Sequence, residues 1–250
     1  MMPSTAGPIA KKVLRQVAKQ QQQKAIDLAA RRQGRDEMQR IIREAIPSTE
    51  ASDQSPAFAA YVYVTNWALG LVETIQEMPE LRRFMARIAK AEDEYMPSGP
   101  PMSPLTRTYF WHWALWDMTV GVKRETLGSI LLAVTKAQGF DAIFTNVLAA
   151  LVESRLGLFV HEGVVNGRVQ LRDLGTDEQL PCICPAGHGG TRGELWLGRV
   201  LPPPSATGDE HVFVTTPYVI LEPGLDGWRA YLARTLPKIG NGDARTPTVP

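Results

Sequence analysis

The chain has 250 residues, 44% of them hydrophobic and 21% charged, with a formal net charge of +1. This length allows one large domain or two small ones, and the apolar content is enough to fill a core. With only Cys182 and Cys184, the composition excludes a disulfide-rich secreted scaffold and fits a reducing compartment. Residues 1–24 alternate apolar and basic positions rather than forming a secretory signal, so we expect a cytoplasmic protein.

Residues 1–46 form a basic arm, which we predict to be one long helix or two helices separated at Gly34. Ten Lys or Arg against four Asp or Glu give the arm a charge of +6, which leaves −5 for the rest of the chain. This asymmetry indicates an anionic partner or an arm that lies on its own acidic body. The predicted partner-binding residues are Lys11, Lys12, Arg15, Arg31, Arg32 and Arg35.

The arm has three interpretations at this stage. It is a solvated amphipathic helix packed on the body, a helix for self-assembly or for a protein partner, or a contact for nucleic acid or a membrane surface. The first is the structural interpretation and the most common for such a charge pattern. Nucleic-acid binding would show a steep loss of affinity with salt.

A polar linker at residues 47–55 precedes a predicted helical bundle at residues 56–155. Its first helix, about residues 56–76, is apolar on nearly all sides. Its charge-free stretch of 16 residues is shorter than the roughly 20 that a membrane span needs, so we predict a buried core helix. An amphipathic helix starting at Pro79 follows, and then a proline-rich loop at residues 97–104. The predicted buried face of this amphipathic helix is Leu81, Phe84, Met85, Ile88 and Tyr95.

The helix after Pro104 carries the tryptophan-rich segment at residues 111–117. Exposed tryptophans could stack on bases or sugars, but core packing is the favoured interpretation. The residues predicted to share one buried helical face are Tyr109, Trp113, Trp116 and Val120. Two more helices are expected near residues 124–137 and 140–154, separated by Gly139.

The periodicity changes after Arg155, and we predict a small antiparallel β-barrel or strongly twisted sheet at residues 156–222. Asn166-Gly167 between two β-rich runs predicts a hairpin. A C-terminal helix at residues 225–236 and a disordered tail at residues 238–250 complete an α+β protein.

The stretch from about residue 105 to 216 resembles a poorly characterised bacterial group of helical proteins that end in a small β-module and are linked with SEC-C zinc-motif proteins. The matching residues are Leu171, Arg172, Asp173, Leu174, Gly198, Arg199 and Val200. The SEC-C zinc motif itself is not intact. Cys182, Cys184 and Gly187 correspond to its first half, and the later Cys-Cys or Cys-His pair is missing.

Cys182, Cys184 and His188 are of the residue types that bind zinc. A structural site needs a fourth ligand, which His161 or His211 could supply from a neighbouring strand. The favoured alternative is that both cysteines are small apolar residues on the buried face of a strand, so we expect no cofactor.

Two neighbouring pairs, His161 with Glu162 and Arg172 with Asp173, have residue types that suit acid/base catalysis. Adjacent strand residues point to opposite faces, however, so neither pair can act on one substrate atom. Arg172, Asp173 and Arg199 could instead form an inter-strand ion pair. The glycine-rich segment at residues 187–193 lacks the strand-loop-helix context of a phosphate-binding loop.

No specific catalytic motif is present in the sequence. We therefore expect a non-enzymatic accessory or adaptor protein that acts through protein–protein contacts. These contacts would be made by the basic arm and by the edges of the β-module. The alternative is a nucleic-acid-associated protein that uses the basic arm.

Overall fold

The computed structural model describes residues 6–23, 56–95, 104–185, 189–202 and 211–235. These residues confirm the α+β class, with helices first, a β-barrel after them and a helix at the end. The chain divides into two compact units, Met1–Val152 and Glu153–Pro250. Several predicted features lie outside the described residues: the arm beyond residue 23 with the break at Gly34, the linker at residues 47–55, the proline-rich loop up to residue 103 and the tail at residues 238–250.

The first unit is helical in its described part. Its elements are α1 (Pro8–Gln23), α2 (Pro56–Ile75), a 3₁₀ turn (Pro79–Leu81), α3 (Arg82–Tyr95), α4 (Pro104–His112) with a π turn (Trp113–Asp117), α5 (Leu127–Ala137) and α6 (Ala142–Glu153). Thr126 and Ser129 form a capping box at the start of α5. Gly139, with φ +72°, separates α5 from α6 as predicted. Among the described helices, none has the length and apolar content to cross a bilayer.

Helices α2 and α3 each differ from the prediction in one detail. Helix α2 is fully buried on one face rather than on all sides, and Val62 is exposed. It packs against α5, and the described side chains on the rest of its circumference are half-buried or exposed. In α3, Tyr95 is 56% exposed, and Ala91 completes the buried face instead. The buried residues of α2 are Tyr61, Val64, Ala68, Val72 and Ile75.

The tryptophan-rich segment is interrupted by the π turn, which the Met118 N–H closes by donating to the Trp113 carbonyl at 2.9 Å. Trp116 is buried and packs so closely on Gly128 that a Cβ there would lie 2.4 Å from the ring. Tyr109 and Trp113 are only half-buried. The four residues therefore do not share one helical face, because the turn ends the α-helical register.

The second unit contains β1 (Arg155–Val165), β2 (Arg168–Asp173), β3 (Gln179–Ile183), β4 (Leu195–Leu201), β5 (His211–Phe213), β6 (Tyr218–Ile220) and α7 (Leu225–Thr235). The strands pair in the order β1-β2-β3-β5-β4, and β4 pairs again with β1, which closes a five-stranded barrel. β6 extends the sheet beside β4.

One pairing corrects the antiparallel prediction. β3 and β5 run parallel, with Cys182 opposite His211 and Ile183 opposite Val212. β5 lies between β3 and β4, parallel to the first and antiparallel to the second, so the sheet is mixed rather than antiparallel.

The predicted hairpin is confirmed between β1 and β2. Asn166 and Gly167 both have positive φ, +51° and +73°, as the two-residue turn of a hairpin requires. Three aromatic rings meet inside the barrel: Phe159 on β1, Trp196 on β4 and Phe213 on β5. The ring centroid of Phe213 lies 5.9 Å from that of Phe159 and 5.6 Å from that of Trp196. The buried core of the barrel is Phe159, Val169, Leu171, Leu180, Cys182, Trp196 and Phe213.

Candidate functional site

Asp173 is a buried carboxylate at the end of β2, and its bonds lie within the barrel unit. It forms an ion pair with Arg155 on β1. Its Oδ1 also accepts hydrogen bonds from the backbone N–H groups of Gly175 at 2.7 Å and Thr176 at 3.0 Å. These bonds hold the β2–β3 turn, so Asp173 has a structural role rather than an acid/base role.

Arg172 lies on the opposite face of β2 from Asp173, as the strand alternation predicts. Its Nε donates to Glu162 Oε1 at 2.7 Å, and Glu162 also accepts from the Gln179 amide at 3.2 Å. The hydrogen bond and charge of Glu162 raise the pKa of Arg172. The pair therefore links β1, β2 and β3 on the outside of the barrel.

Arg199 on β4 is fully buried, and it does not join Arg172 and Asp173 in the predicted ion pair. Its Nη1 donates to Ser154 Oγ at 2.8 Å, and its backbone N–H donates to Thr215 Oγ1 at 3.0 Å. Arg172 and Asp173 thus form inter-strand ion pairs with Glu162 and Arg155 rather than the predicted ion pair with Arg199.

His161 is a buried histidine whose ring nitrogens both face backbone groups. Nδ1 accepts from the Gly163 N–H at 3.2 Å, so Nε2 carries the proton that bonds the Gly189 carbonyl at 2.8 Å. The ring packs against Trp196 at a centroid distance of 4.8 Å. A Cβ at Gly190 would lie 2.3 Å from Trp196. Gly190 therefore serves close packing over His161 and Trp196.

The two cysteines proposed as metal ligands both contribute to the packing of the barrel. Cys182 lies in the barrel core, where its thiol donates to the Leu180 carbonyl at 3.4 Å, and Cys184 packs against that core. Burial, reinforced by the charge of Cys184, raises the pKa of Cys182 to about 12, which disfavours the thiolate that zinc binds. Burial also lowers the pKa of His211, the cross-strand neighbour of Cys182.

The zinc prediction remains untested because His188 lies outside the described residues. Within the part of the chain that is described, no cluster of three His, Cys, Asp or Glu side chains could hold a metal ion. Of the two cysteines, Cys182 lies on the buried face of β3, whereas Cys184 follows the end of the strand and is half-buried.

The described part of the basic arm is α1, which carries an apolar face and a basic face. Ala10 and Val13 are buried, and α1 packs against α5. Its four cations, Lys11, Lys12, Arg15 and Lys19, are all exposed. Arg31, Arg32 and Arg35 lie outside the described residues. At least this part of the arm is an amphipathic helix packed on its own unit.

Glu125 is a buried carboxylate that no motif or local pattern marks as special. Its two oxygens accept the backbone N–H groups of Ile9 at 2.8 Å and Ala10 at 2.7 Å. A carboxylate at a helix N-terminus accepts hydrogen bonds from the free N–H groups of the first turn. Its negative charge also interacts favourably with the positive end of the helix dipole. Gly7 permits the approach, because a Cβ there would lie 2.3 Å from the Glu125 carboxyl carbon. Glu125 therefore holds the start of α1 from 115 residues away.

A tight turn at residues 121–124 directly precedes Glu125 and so lies beside the start of α1. Val120 and Glu125 form an isolated β-bridge, and Arg124 has φ +48° between them. Val122 at the tip is 99% exposed, and Lys123 beside it is exposed as well. This turn and the start of α1 form one local structure.

Among the described residues of the barrel unit, the exposed large apolar side chains lie at two places. Val164 and Val165 directly precede the β1–β2 turn, while Tyr218 and Leu221 lie on and just after β6. β6 pairs with β4 on one side, and among the described residues no strand pairs with its other side. β6 is thus an edge strand beside exposed apolar surface.

Comparisons with protein-family models, curated proteins and solved structures return no match to this chain.

Proposed function

We propose that this chain is a non-enzymatic adaptor that binds a protein partner through the edge strand β6. The supporting observation is that β6 has one paired side and one side without a described strand, next to Tyr218 and Leu221. An extended partner segment could add to such an edge through backbone hydrogen bonds, and neighbouring apolar side chains would then supply selectivity.

The charges of the barrel support a binding role over catalysis. Arg155, Arg172 and Arg199 bond to groups of their own unit, as does His161. In the described barrel, the polar side chains thus stabilise strands and turns and do not converge on a shared open position. This arrangement favours a scaffold that presents surfaces.

The test uses a photo-crosslinking amino acid at position 221 in cells that naturally produce the chain, followed by purification of the captured protein. The affinity of that partner is then measured for the wild type, for Leu221→Asp and for Val165→Asp. The proposal predicts at least a tenfold loss for Leu221→Asp alone, since a charge on an apolar contact is costly. An equal loss with the hairpin control, Val165→Asp, or no loss with either, contradicts it.

A second candidate function is nucleic-acid association through the basic arm. It is favoured by the outward cations of α1, none of which forms an ion pair with a described residue. Charge reversal of Arg31, Arg32 and Arg35 together should abolish retention on nucleic acid without unfolding the protein. Binding that does not change between low and moderate salt would contradict this function.

A further inference from the structure

The cations of α1 form a regular row on its solvent face. Lys11, Arg15 and Lys19 are four residues apart, which places them on one side of the helix at intervals of about 6 Å. Lys12 lies beside this row. The helix contains no acidic residue, and its apolar side faces its own unit. All charged side chains on the solvent face of α1 are therefore positive.

The turn before Glu125 adds two cations, Lys123 and Arg124, which are also exposed. Neither forms an ion pair with a described residue. Glu125 hydrogen-bonds the first turn of α1, and Ile9 packs on Gly121, where a Cβ would lie 3.2 Å from its Cδ1. The turn and the helix are consequently fixed to each other. The clasped basic surface comprises Lys11, Lys12, Arg15, Lys19, Lys123 and Arg124.

The composition of the clasped basic surface limits the class of partner. Protein interfaces depend on apolar and aromatic anchors at their centres, and here Val122 is the sole large apolar side chain among the exposed residues of α1 and the turn. A membrane-surface helix must bury an apolar face in lipid, but the apolar face of α1 is already occupied by its own unit. A polyanion recognised by charge fits best.

The same composition favours a duplex over a single strand. Proteins that bind single strands stack bases on aromatic side chains, and neither α1 nor residues 121–124 contain an aromatic residue. Lysine and arginine contacts to phosphates position a duplex without reading its bases.

We propose that the clasped basic surface binds the phosphate backbone of duplex nucleic acid without sequence preference. This inference rests on the second candidate function and places its phosphate contacts on the described part of the basic arm and on the adjoining turn. Glu125 is a positioning residue in this proposal, because it holds α1 against the turn and contacts no phosphate itself.

The experiment measures fluorescence anisotropy of labelled 20-base-pair DNA duplexes of two unrelated sequences with the full chain. If six cations contact phosphates, affinity should fall about a thousandfold between 50 and 200 mM salt, with a logarithmic slope of about −5. The two sequences should bind equally well.

Two variants locate the contact. Lys11→Gln, Lys12→Gln, Arg15→Gln and Lys19→Gln together should reduce the salt slope by about 3 to 4, and Lys123→Gln with Arg124→Asn should reduce it by about 2. Asn suits the left-handed backbone at position 124. The control is Arg192→Gln with Arg234→Gln, two exposed cations of the barrel unit, and it should leave the slope unchanged.

The outcomes separate this inference from the function on which it rests. No duplex binding at 50 mM salt contradicts both. Another outcome is that duplex binding is lost when Arg31, Arg32 and Arg35 are reversed and yet is kept by the α1 variant and the turn variant. That result supports binding through Arg31, Arg32 and Arg35 and overturns the clasped basic surface. Binding to phosphatidylserine vesicles without binding to duplex overturns the proposal in favour of a membrane.

Discussion

The strand arginines of the barrel and the cations of α1 are used in opposite ways. In the barrel, Arg155 and Arg172 pair with carboxylates of neighbouring strands, and buried Arg199 bonds a serine. In the helical unit, Lys11 and Arg15 are exposed and have no ion pair with a described residue. Residue type alone therefore does not show which cations are available to a partner. Burial and local pairing decide it.

The largest expected effect comes from Asp173→Ala. It leaves Arg155 without its carboxylate and two backbone N–H groups without their acceptor. Removing one member of a largely buried pair costs about 3 to 5 kcal/mol of unfolding free energy. Urea denaturation followed by tryptophan fluorescence measures this, and a loss below about 1 kcal/mol would show that the barrel does not depend on the pair.

A smaller and local effect is expected for Glu125→Ala. The start of α1 loses two hydrogen bonds, and loss of a helix cap costs about 1 to 2 kcal/mol. Hydrogen exchange of the α1 amides should accelerate, while that of the barrel amides should not. Unchanged exchange in α1 would mean that packing on α5 holds the helix without Glu125.

The unfolding free energy should fall both at alkaline pH and at acid pH, for a different reason on each side. The folded pKa of Cys182 is raised to about 12, so the unfolded thiol ionises first, and stability falls as pH rises from about 9 towards 12 by up to about 1.4 kcal/mol per unit. The folded pKa of His211 is lowered, so its contribution is present above about pH 6.5 and is lost as pH falls below it. Cys182→Ala should flatten the alkaline limb and His211→Gln the acid limb, in urea titrations across pH. An alkaline limb that persists in Cys182→Ala would assign it to other groups.

The smallest effect on stability is expected for the four-Gln variant of α1. Surface substitutions away from paired groups change unfolding free energy by about 0.5 kcal/mol or less. A loss above 1 kcal/mol would show that these side chains support the fold and would weaken the contrast between the units. Thermal unfolding of this variant and the wild type is sufficient to measure it.

Local patterns predicted much of this fold. The Asn166-Gly167 turn, the Gly139 break and the change from helical to alternating periodicity near Arg155 each depend on a few adjacent residues. The α+β class and the buried cysteine-bearing strand follow from such patterns.

Features that depend on distant residues were not predictable from those patterns. The parallel pairing of β3 with β5 joins strands that begin 32 positions apart, and strand direction has no local sequence signal. β6 is three residues long, too short for a periodic signal. Glu125 meets α1 only after folding, and Asp173 finds Arg155 rather than the arginines near it in the motif. The π turn likewise shifted the tryptophan face away from its expected register.

The contrast between the units is tested most directly by a crossed measurement on two variants, in which duplex affinity and unfolding free energy are both determined. The account predicts that the four-Gln variant of α1 loses duplex affinity and keeps its stability, while Arg155→Gln loses stability and keeps duplex affinity at temperatures where it is folded. The reverse pattern, or both losses in both variants, would contradict the division between available and structural cations.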